Sequence, residues 1–258
     1  MSADGAYLQL DVMGAGPAYS DRIGSTGAAY LIRAADTAVL LDLGQGSFPR
    51  LAATVEPSTL DAVVVSHLHP DHFIDLVALR HYLRWYFEVA RQVRVIGPAG
   101  LEARLDALHD EPGFSRATLA IEPILEGTIE IGQLRLESRR VTHTLDSHAF
   151  RIDRWDRPGP GLVYSGDCGR ADDLAPLIRA GDHLLCEVSF GAGPVPPGAA
   201  HLDGHAVGAL AAGTQVGRVL LTHIQMGFAR DAALDAVRSA YGGPVSFVDP
   251  GSRTDIPA

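Results

Sequence analysis

Lysine is absent from this 258-residue chain, and all 21 cationic side chains are arginine. Guanidinium forks suit phosphate recognition, but the abundance of Ala and Gly makes a GC-rich coding bias the simpler account. Positive charge is scarce overall: 21 Arg against 31 Asp and Glu give a formal net charge of −10. That balance argues against a general electrostatic grip on nucleic acid and leaves only a local basic patch for the purpose. Cysteine is nearly missing, and Cys168 and Cys186 alone make no disulfide framework. No apolar run approaches the roughly 18 residues of a membrane span, and none near the N-terminus resembles a signal peptide. The expectation is therefore a cytoplasmic protein that contacts no membrane. Repeats, linkers and low-complexity blocks are lacking too. With 47% apolar and 20% charged residues, the chain reads as a single domain over 1–258 with a sizeable core.

What is present concentrates at one stretch, Ser66-His67-Leu68-His69-Pro70-Asp71-His72, directly after the apolar run Ala62-Val63-Val64-Val65. Such a run predicts a buried strand. Residues from Phe73 to 91 predict one helix, with Asp71 where its N-cap would fall. A turn this tight can aim imidazoles and a carboxylate at one point, and those are ligands for zinc, manganese or iron. Elsewhere, strands are predicted over 7–13, 28–33, 37–42, 93–96, 118–124, 128–131, 133–141, 161–165, 183–188, 216–222 and 245–248. Helices are predicted over 99–109, 206–212 (capped by Asp203) and 231–240. Residues 153–161 predict a polar turn and 191–200 a mobile Gly/Pro loop. Gly44-Gln45-Gly46 lacks the third glycine of a dinucleotide fingerprint and reads as a tight turn near the histidine motif. The aromatic cluster His81, Tyr82, Trp85, Tyr86 and Phe87 reads mainly as core packing, with a pocket wall or a dimer contact as the other roles.

One regularity ties the chain together. His67, His143, Asp167 and His223 each stand within two residues of the end of a predicted apolar strand. Layered α/β folds place their sites at such strand ends.

With those residues assembled, the chain resembles the metallo-β-lactamase-fold hydrolase superfamily over nearly its whole length. The likeness is carried by His67-X-His69-X-Asp71-His72, His143, Ser165-Gly166-Asp167 and Leu221-Thr222-His223, in that order. It implies an α/β fold, an αββα four-layer sandwich with a two-metal site at one edge. By the same resemblance His67, His69 and His143 hold one divalent ion, Asp71, His72 and His223 hold the other, and Asp167 bridges them. Zinc is the first expectation for both ions, with manganese or iron as alternatives.

Within that superfamily the chain is most similar to the ribonuclease Z branch and its phosphodiesterase relatives. Leu41-Asp42-Leu43-Gly44-Gln45-Gly46, Leu185-Cys186-Glu187-Val188-Ser189-Phe190 and His201-Leu202-Asp203-Gly204-His205 carry this closer likeness. It makes Asp71 and His201 the catalytic residues, Asp71 orienting or deprotonating the nucleophile and His201 standing over the scissile phosphate. Two departures matter. The tRNA-holding arm of ribonuclease Z, placed between His143 and Asp167, is absent, since only 23 positions (144–166) separate them. Cys168 stands where Thr is commoner and is read as a packed side chain. The expected substrate is thus a small phosphodiester such as a cyclic nucleotide. Nucleic acid is disfavoured, and a homodimer is the family-level expectation. The alternatives are a ribonuclease Z-like endonuclease, a lactonase and a non-catalytic nucleotide-binding regulator. Thioester hydrolases of this fold carry a helical C-terminal domain, for which the 35 residues after His223 (258 − 223) are too few. Glu187 is placed either behind a ligand histidine or as a plain strand-end carboxylate. His148 could reach the pocket mouth, whereas His81, His109, His183 and His205 have no assigned role.

Overall fold

A computed structural model describes residues 7–257. The chain begins with β1 (Tyr7–Gly14), β2 (Ala29–Ala34), β3 (Thr37–Leu41), α1 (Phe48–Thr54), β4 (Ala62–Val64), α2 (Pro70–Phe73) and α3 (Leu76–Trp85). Then come β5 (Val93–Gly97), α4 (Leu101–Ala107), β6 (Leu119–Pro123), β7 (Gly127–Ile131), β8 (Leu134–Arg140), β9 (His148–Arg154) and β10 (Leu162–Tyr164). The remainder is β11 (His183–Glu187), α5 (Gly204–Thr214), β12 (Arg218–Thr222), α6 (Arg230–Arg238), β13 (Val245–Phe247) and β14 (Arg253–Pro257).

The strands form two seven-stranded mixed sheets, ordered β14-β1-β2-β3-β4-β5-β6 and β13-β12-β11-β10-β9-β8-β7. β3 to β6 run parallel in the first, and β10 to β13 run parallel in the second. A strand covered on both faces must be apolar on both, and β4 shows it. Ala62 and Val64 join the core between the sheets, while Val63 and Val65 face the helices outside. In the second sheet Leu220 of β12 points inward, and Val219 and Leu221 point to α5 and α6. Leu51, Leu76, Leu79, Leu83, Leu101 and Leu105 cover the first sheet from α1, α3 and α4. Each such wholly buried side chain is worth about 1.5–3 kcal/mol. The result is the four-layer α/β sandwich that the resemblance implied.

Local differences from the sequence reading have physical causes. The single helix expected over 73–91 is two helices. Asp75 breaks it, donating its N–H to the Leu43 carbonyl and accepting from Phe48 N with its carboxylate. The second of them stops at Trp85, so the aromatic cluster enters the core only through half-buried Tyr82, which packs against it. Tyr82, Tyr86 and Phe87 pack on one another at the surface, and Trp85 and Tyr86 stay 56% and 72% exposed. β9 extends to Arg154, shortening the expected polar turn. α1 and β14 had no periodic signal of their own. A buried ion pair stiffens the second sheet: Asp182 accepts from Arg151 Nε and NH2 at 2.7 and 2.9 Å, and from Gly161 N and Arg179 N at 2.7 and 2.9 Å. No helix among the described residues is long and apolar enough to cross a membrane.

Candidate metal centre

The site lies at the C-terminal ends of β4 in one sheet and β8, β10, β11 and β12 in the other. After Val65 the chain turns sharply and enters α2 with His69 as N-cap and Pro70 in the first helical position. Proline suits that position because its missing N–H would have no partner there. Asp71 therefore sits inside the first turn and is not the cap. Backbone bonds lace this helix to the residue before β2 and to the turn after β3, from Ala28 N to Asp71 O at 2.9 Å and from Leu43 N to His72 O at 2.8 Å. A Cβ on Gly44 would fall 1.8 Å from the Asp71 carbonyl oxygen, so only glycine allows the approach. Gly44-Gln45-Gly46 is thus a support for the histidine turn.

Three groups of donor atoms converge at these strand ends; Glu187, His201 and His223 form the smallest, and the other two hold the sequence-proposed ligands. His67, His69, His143 and Asp167 form one, and Asp71, His72, Asp167 and His223 the other, with the offered atoms of each group within 4.8 Å of one another. Asp167 belongs to both. Its Oδ2 lies 3.7 and 3.6 Å from Nε2 of His67 and His143, and its Oδ1 lies 3.3 and 3.5 Å from Nε2 of His72 and His223. Asp71 Oδ2 is 3.2 Å from His223 Nε2, and His69 Nδ1 is 3.0 Å from His143 Nε2. All seven residues proposed as ligands from the sequence are brought together.

The residues fit divalent cations. His67 Nε2, His72 Nε2 and Asp167 Oδ1 are buried and have no hydrogen-bond partner, an arrangement that costs about 1–3 kcal/mol per atom if nothing satisfies them. The far side of four of the five rings is held, His69 being the exception. His72 Nδ1 meets Asp42 Oδ2 at 2.7 Å, His67 Nδ1 meets Ser66 Oγ at 3.1 Å, His143 Nδ1 meets the Ala200 carbonyl at 2.8 Å and His223 Nδ1 meets Ser189 Oγ at 3.1 Å. An acceptor behind Nδ1 leaves Nε2 bare for a cation. Asp42, fully buried with φ +58, also accepts from Ser66 N, Ser66 Oγ and Tyr164 Oη at 2.6, 2.7 and 2.7 Å. Imidazole and carboxylate donors without thiolate suit zinc, manganese and iron alike.

Charge is distributed in keeping with this. Burial would push the His72 imidazole down, but Asp167 and Asp42 override it and hold it well above the usual histidine range. His223 is raised as well, burial being outweighed by Asp167 and Asp71. Burial and the neighbouring His72 drive His67 well below that range. Burial alone would raise Asp167, yet His223, His72 and His67 hold it well below the usual carboxylate range. Protons on His72 and His223 thus balance the carboxylates wherever cations do not.

His201 stands beside these groups. Its Nδ1 is 2.9 Å from Glu187 Oε1, and its ring packs edge-on against His143 with centroids 4.7 Å apart. Burial pushes it down, but Glu187 carries it above its ordinary value. Glu187 therefore sits directly behind His201 and reaches the ligand candidate His223 only through Ser189, a refinement of both roles weighed for it. His148 does not reach the mouth; it is buried between Ser138 Oγ and Asp146 Oδ1, each 3.0 Å away. Cys168 is buried in the core under α5, its thiol against the Arg170 carbonyl. His205 is exposed on α5, apart from the site. Sequence reasoning missed the supporting roles of Asp42, Ser66 and Ser189. Asp42 carried the same signal as the others, an acidic residue closing an apolar strand.

A family model described as a beta-lactamase superfamily domain matches residues 37–224. An uncharacterized protein of Mycobacterium leprae, ML1173, is 33% identical over 91% of this chain and 84% of its own length. The crystal structure of the metallo-beta-lactamase fold protein YhfI from Bacillus subtilis superposes with a TM-score of 0.83 at 20% identity, covering 97% of this chain and 99% of that one. Human tRNase Z, short form, gives a TM-score of 0.73 at 18% identity over 97% of this chain and 100% of its own. By that family match and these similarities, the chain belongs to the beta-lactamase superfamily and has the metallo-β-lactamase fold.

Proposed function

We propose that this chain is a two-metal hydrolase of small phosphodiesters, cyclic nucleotides foremost, with His67, His69, His143 and Asp167 holding one cation and Asp71, His72, Asp167 and His223 the other. Such cations, when bound, acidify water and neutralise charge on a phosphoryl group. The remaining work falls to side chains. Asp71 lies at the second donor group with its Oδ2 toward His223, placed to accept a proton from the attacking water. His201 is anchored through Nδ1 while its Nε2 makes no hydrogen bond among the described residues. That free N–H can donate to a phosphoryl oxygen or to the departing alkoxide. The Glu187–His201 pair is the observation that carries the phosphodiester reading, because a neutral lactone gives a cationic donor nothing to pair with in its ground state.

Access favours a small anion. The 23 positions between His143 and Asp167 are taken up by β9, β10 and their turns, which supports a substrate smaller than tRNA. Arg104 of α4 donates to the Leu68 carbonyl at 2.8 Å, between His67 and the exposed His69, and pairs with no carboxylate among the described residues. In a chain of net charge −10, that guanidinium draws an anionic substrate to the mouth.

The test is turnover by metal-loaded protein on 3′,5′- and 2′,3′-cyclic nucleotides, bis-p-nitrophenyl phosphate, unprocessed tRNA and a lactone panel. Cyclic or model phosphodiesters should turn over best. His201→Ala should lower that rate by roughly 10²–10⁴ while metal content is retained. Undiminished phosphodiester cleavage in the variant, or preference for lactones, would overturn the proposal.

A further inference from the structure

Ser189 stands where two parts of the site meet. It is fully buried just beyond β11, and its Oγ lies 2.5 Å from Glu187 Oε2, 3.1 Å from His223 Nδ1, 3.2 Å from His201 Nδ1 and 3.2 Å from the His223 carbonyl oxygen. A hydroxyl has one proton and two lone pairs. The carboxylate takes the proton, because it is the nearest acceptor and carries charge. Oγ is then an acceptor facing two imidazoles. His201 Nδ1–H has a closer carboxylate oxygen at 2.9 Å and goes there. His223 Nδ1 has no other partner among the described residues, so its N–H points at Oγ.

The outcome is one directed chain. His223 donates to Ser189, Ser189 donates to one oxygen of Glu187, and His201 donates to the other. Glu187 is fixed from behind by the backbone N–H groups of Cys168 and Ser189, at 2.8 and 3.1 Å, so the chain cannot slacken by carboxylate rotation.

We infer that Ser189 is a positioning residue that couples the second donor group to His201. Its oxygen selects the His223 tautomer whose bare Nε2 faces Asp71 and Asp167. A hydroxyl polarised by a carboxylate accepts more strongly, which makes that Nε2 a better donor to a cation. Loading of the second donor group pulls on the same carboxylate that orients His201. The inference rests on the two-metal reading of the site and not on the identity of the substrate.

Stepwise Zn²⁺ affinity, measured by competition with a chromogenic chelator, tests it. Wild type should bind two ions. Ser189→Ala should weaken the second step by about 10–100-fold, leave the first within about threefold, and Ser189→Thr should restore the second. Long-range ¹⁵N–¹H spectra of the metal-free protein, recorded at a pH high enough to leave His223 neutral, supply a readout independent of activity. His223 should show a single Nδ1–H tautomer in wild type and a mixture in Ser189→Ala. The His201 ring signals should move when the second ion binds to wild type and stay still in the variant. If Ser189→Ala does not fold, Ser189→Cys keeps the volume with a much weaker acceptor and should behave as the alanine variant was expected to. Two-ion binding with an unaltered second step and an unaltered tautomer overturns the role of Ser189 alone. A wild-type chain that takes up fewer than two ions overturns the two-metal reading itself.

Discussion

Replacing Asp42 with asparagine probes how the site selects its imidazole protons. Asparagine tolerates the φ of +58 at this position as aspartate does, so the backbone should survive. Chemistry changes instead. Oδ1 accepts from Ser66 N, and Oδ2 accepts from Ser66 Oγ, Tyr164 Oη and His72 Nδ1. With the amide nitrogen in the Oδ2 place, the two hydroxyls can rotate and accept. His72 can do so only by moving its proton to Nε2, where it points at Asp167. The flipped amide sets its nitrogen against the Ser66 N–H, which cannot rotate. Either orientation leaves one buried conflict worth about 1–3 kcal/mol, and the tautomer change should cost about 10–100-fold in affinity at the second metal step. At 1.4 kcal/mol per tenfold, that is about 1.4–2.8 kcal/mol, the same size, as it should be for one interaction read two ways. Differential scanning calorimetry of metal-free protein should show Tm lower by about 2–10 °C, and chelator competition should show the weakened step. Unchanged Tm together with an unchanged second step would refute the reasoning.

Other outcomes follow from the same geometry. His72 and His223 have folded pKa values raised above the unfolded value of about 6.5. Their stabilisation is complete below that value and is lost as pH rises through the folded values. Metal-free protein should therefore melt at lower temperature near pH 9 than near pH 6, while metal affinity rises over that range because binding expels those protons. Calorimetric titration in buffers of different ionisation enthalpy reads the proton release, and none at about pH 7 would contradict the assignment. Asp182→Ala leaves the buried Arg151 guanidinium to Asp153 alone and strips Gly161 N and Arg179 N of their acceptor, and should cost about 1–3 kcal/mol in urea unfolding at constant m; no measurable loss would show the Asp182 pair to be dispensable. Arg104→Ala should lower kcat/KM for an anionic substrate about tenfold at low salt through KM, with kcat kept. That difference should vanish near 1 M salt, where screening acts within about 3 Å. Salt-independent loss would assign Arg104 a direct contact instead.

The four-layer architecture and the convergence of seven side chains were legible in the sequence because both depend on local signals. Apolar runs such as Ala62–Val65 mark strands buried on both faces, and the position of a polar residue just past each run survives any detail of packing. What stayed hidden depended on contacts distant in the chain. The break between α2 and α3 comes from Asp75 reaching the Leu43 and Phe48 backbone, which no helical periodicity reveals. The aromatic residues of this segment matched a core pattern, but only Tyr82 packs against the core, while Trp85 and Tyr86, at the end of α3, stay exposed. Glu187 was visible as a strand-end carboxylate. That it faces His201 depends on the course of the 191–200 loop, whose Gly/Pro composition carries no periodicity to read.

His223 and Asp71 touch across 152 positions of sequence, and each donor group draws on both sheets. Neither half of the sandwich can host a finished centre by itself. Proteolytic or translational fragments ending before β12 lack His223, so they would be chemically silent even with β1 to β6 of the first sheet in place. Turnover would then report completed tertiary assembly, and a cell would be shielded from stray hydrolysis by half-made chains without any inhibitor to restrain them.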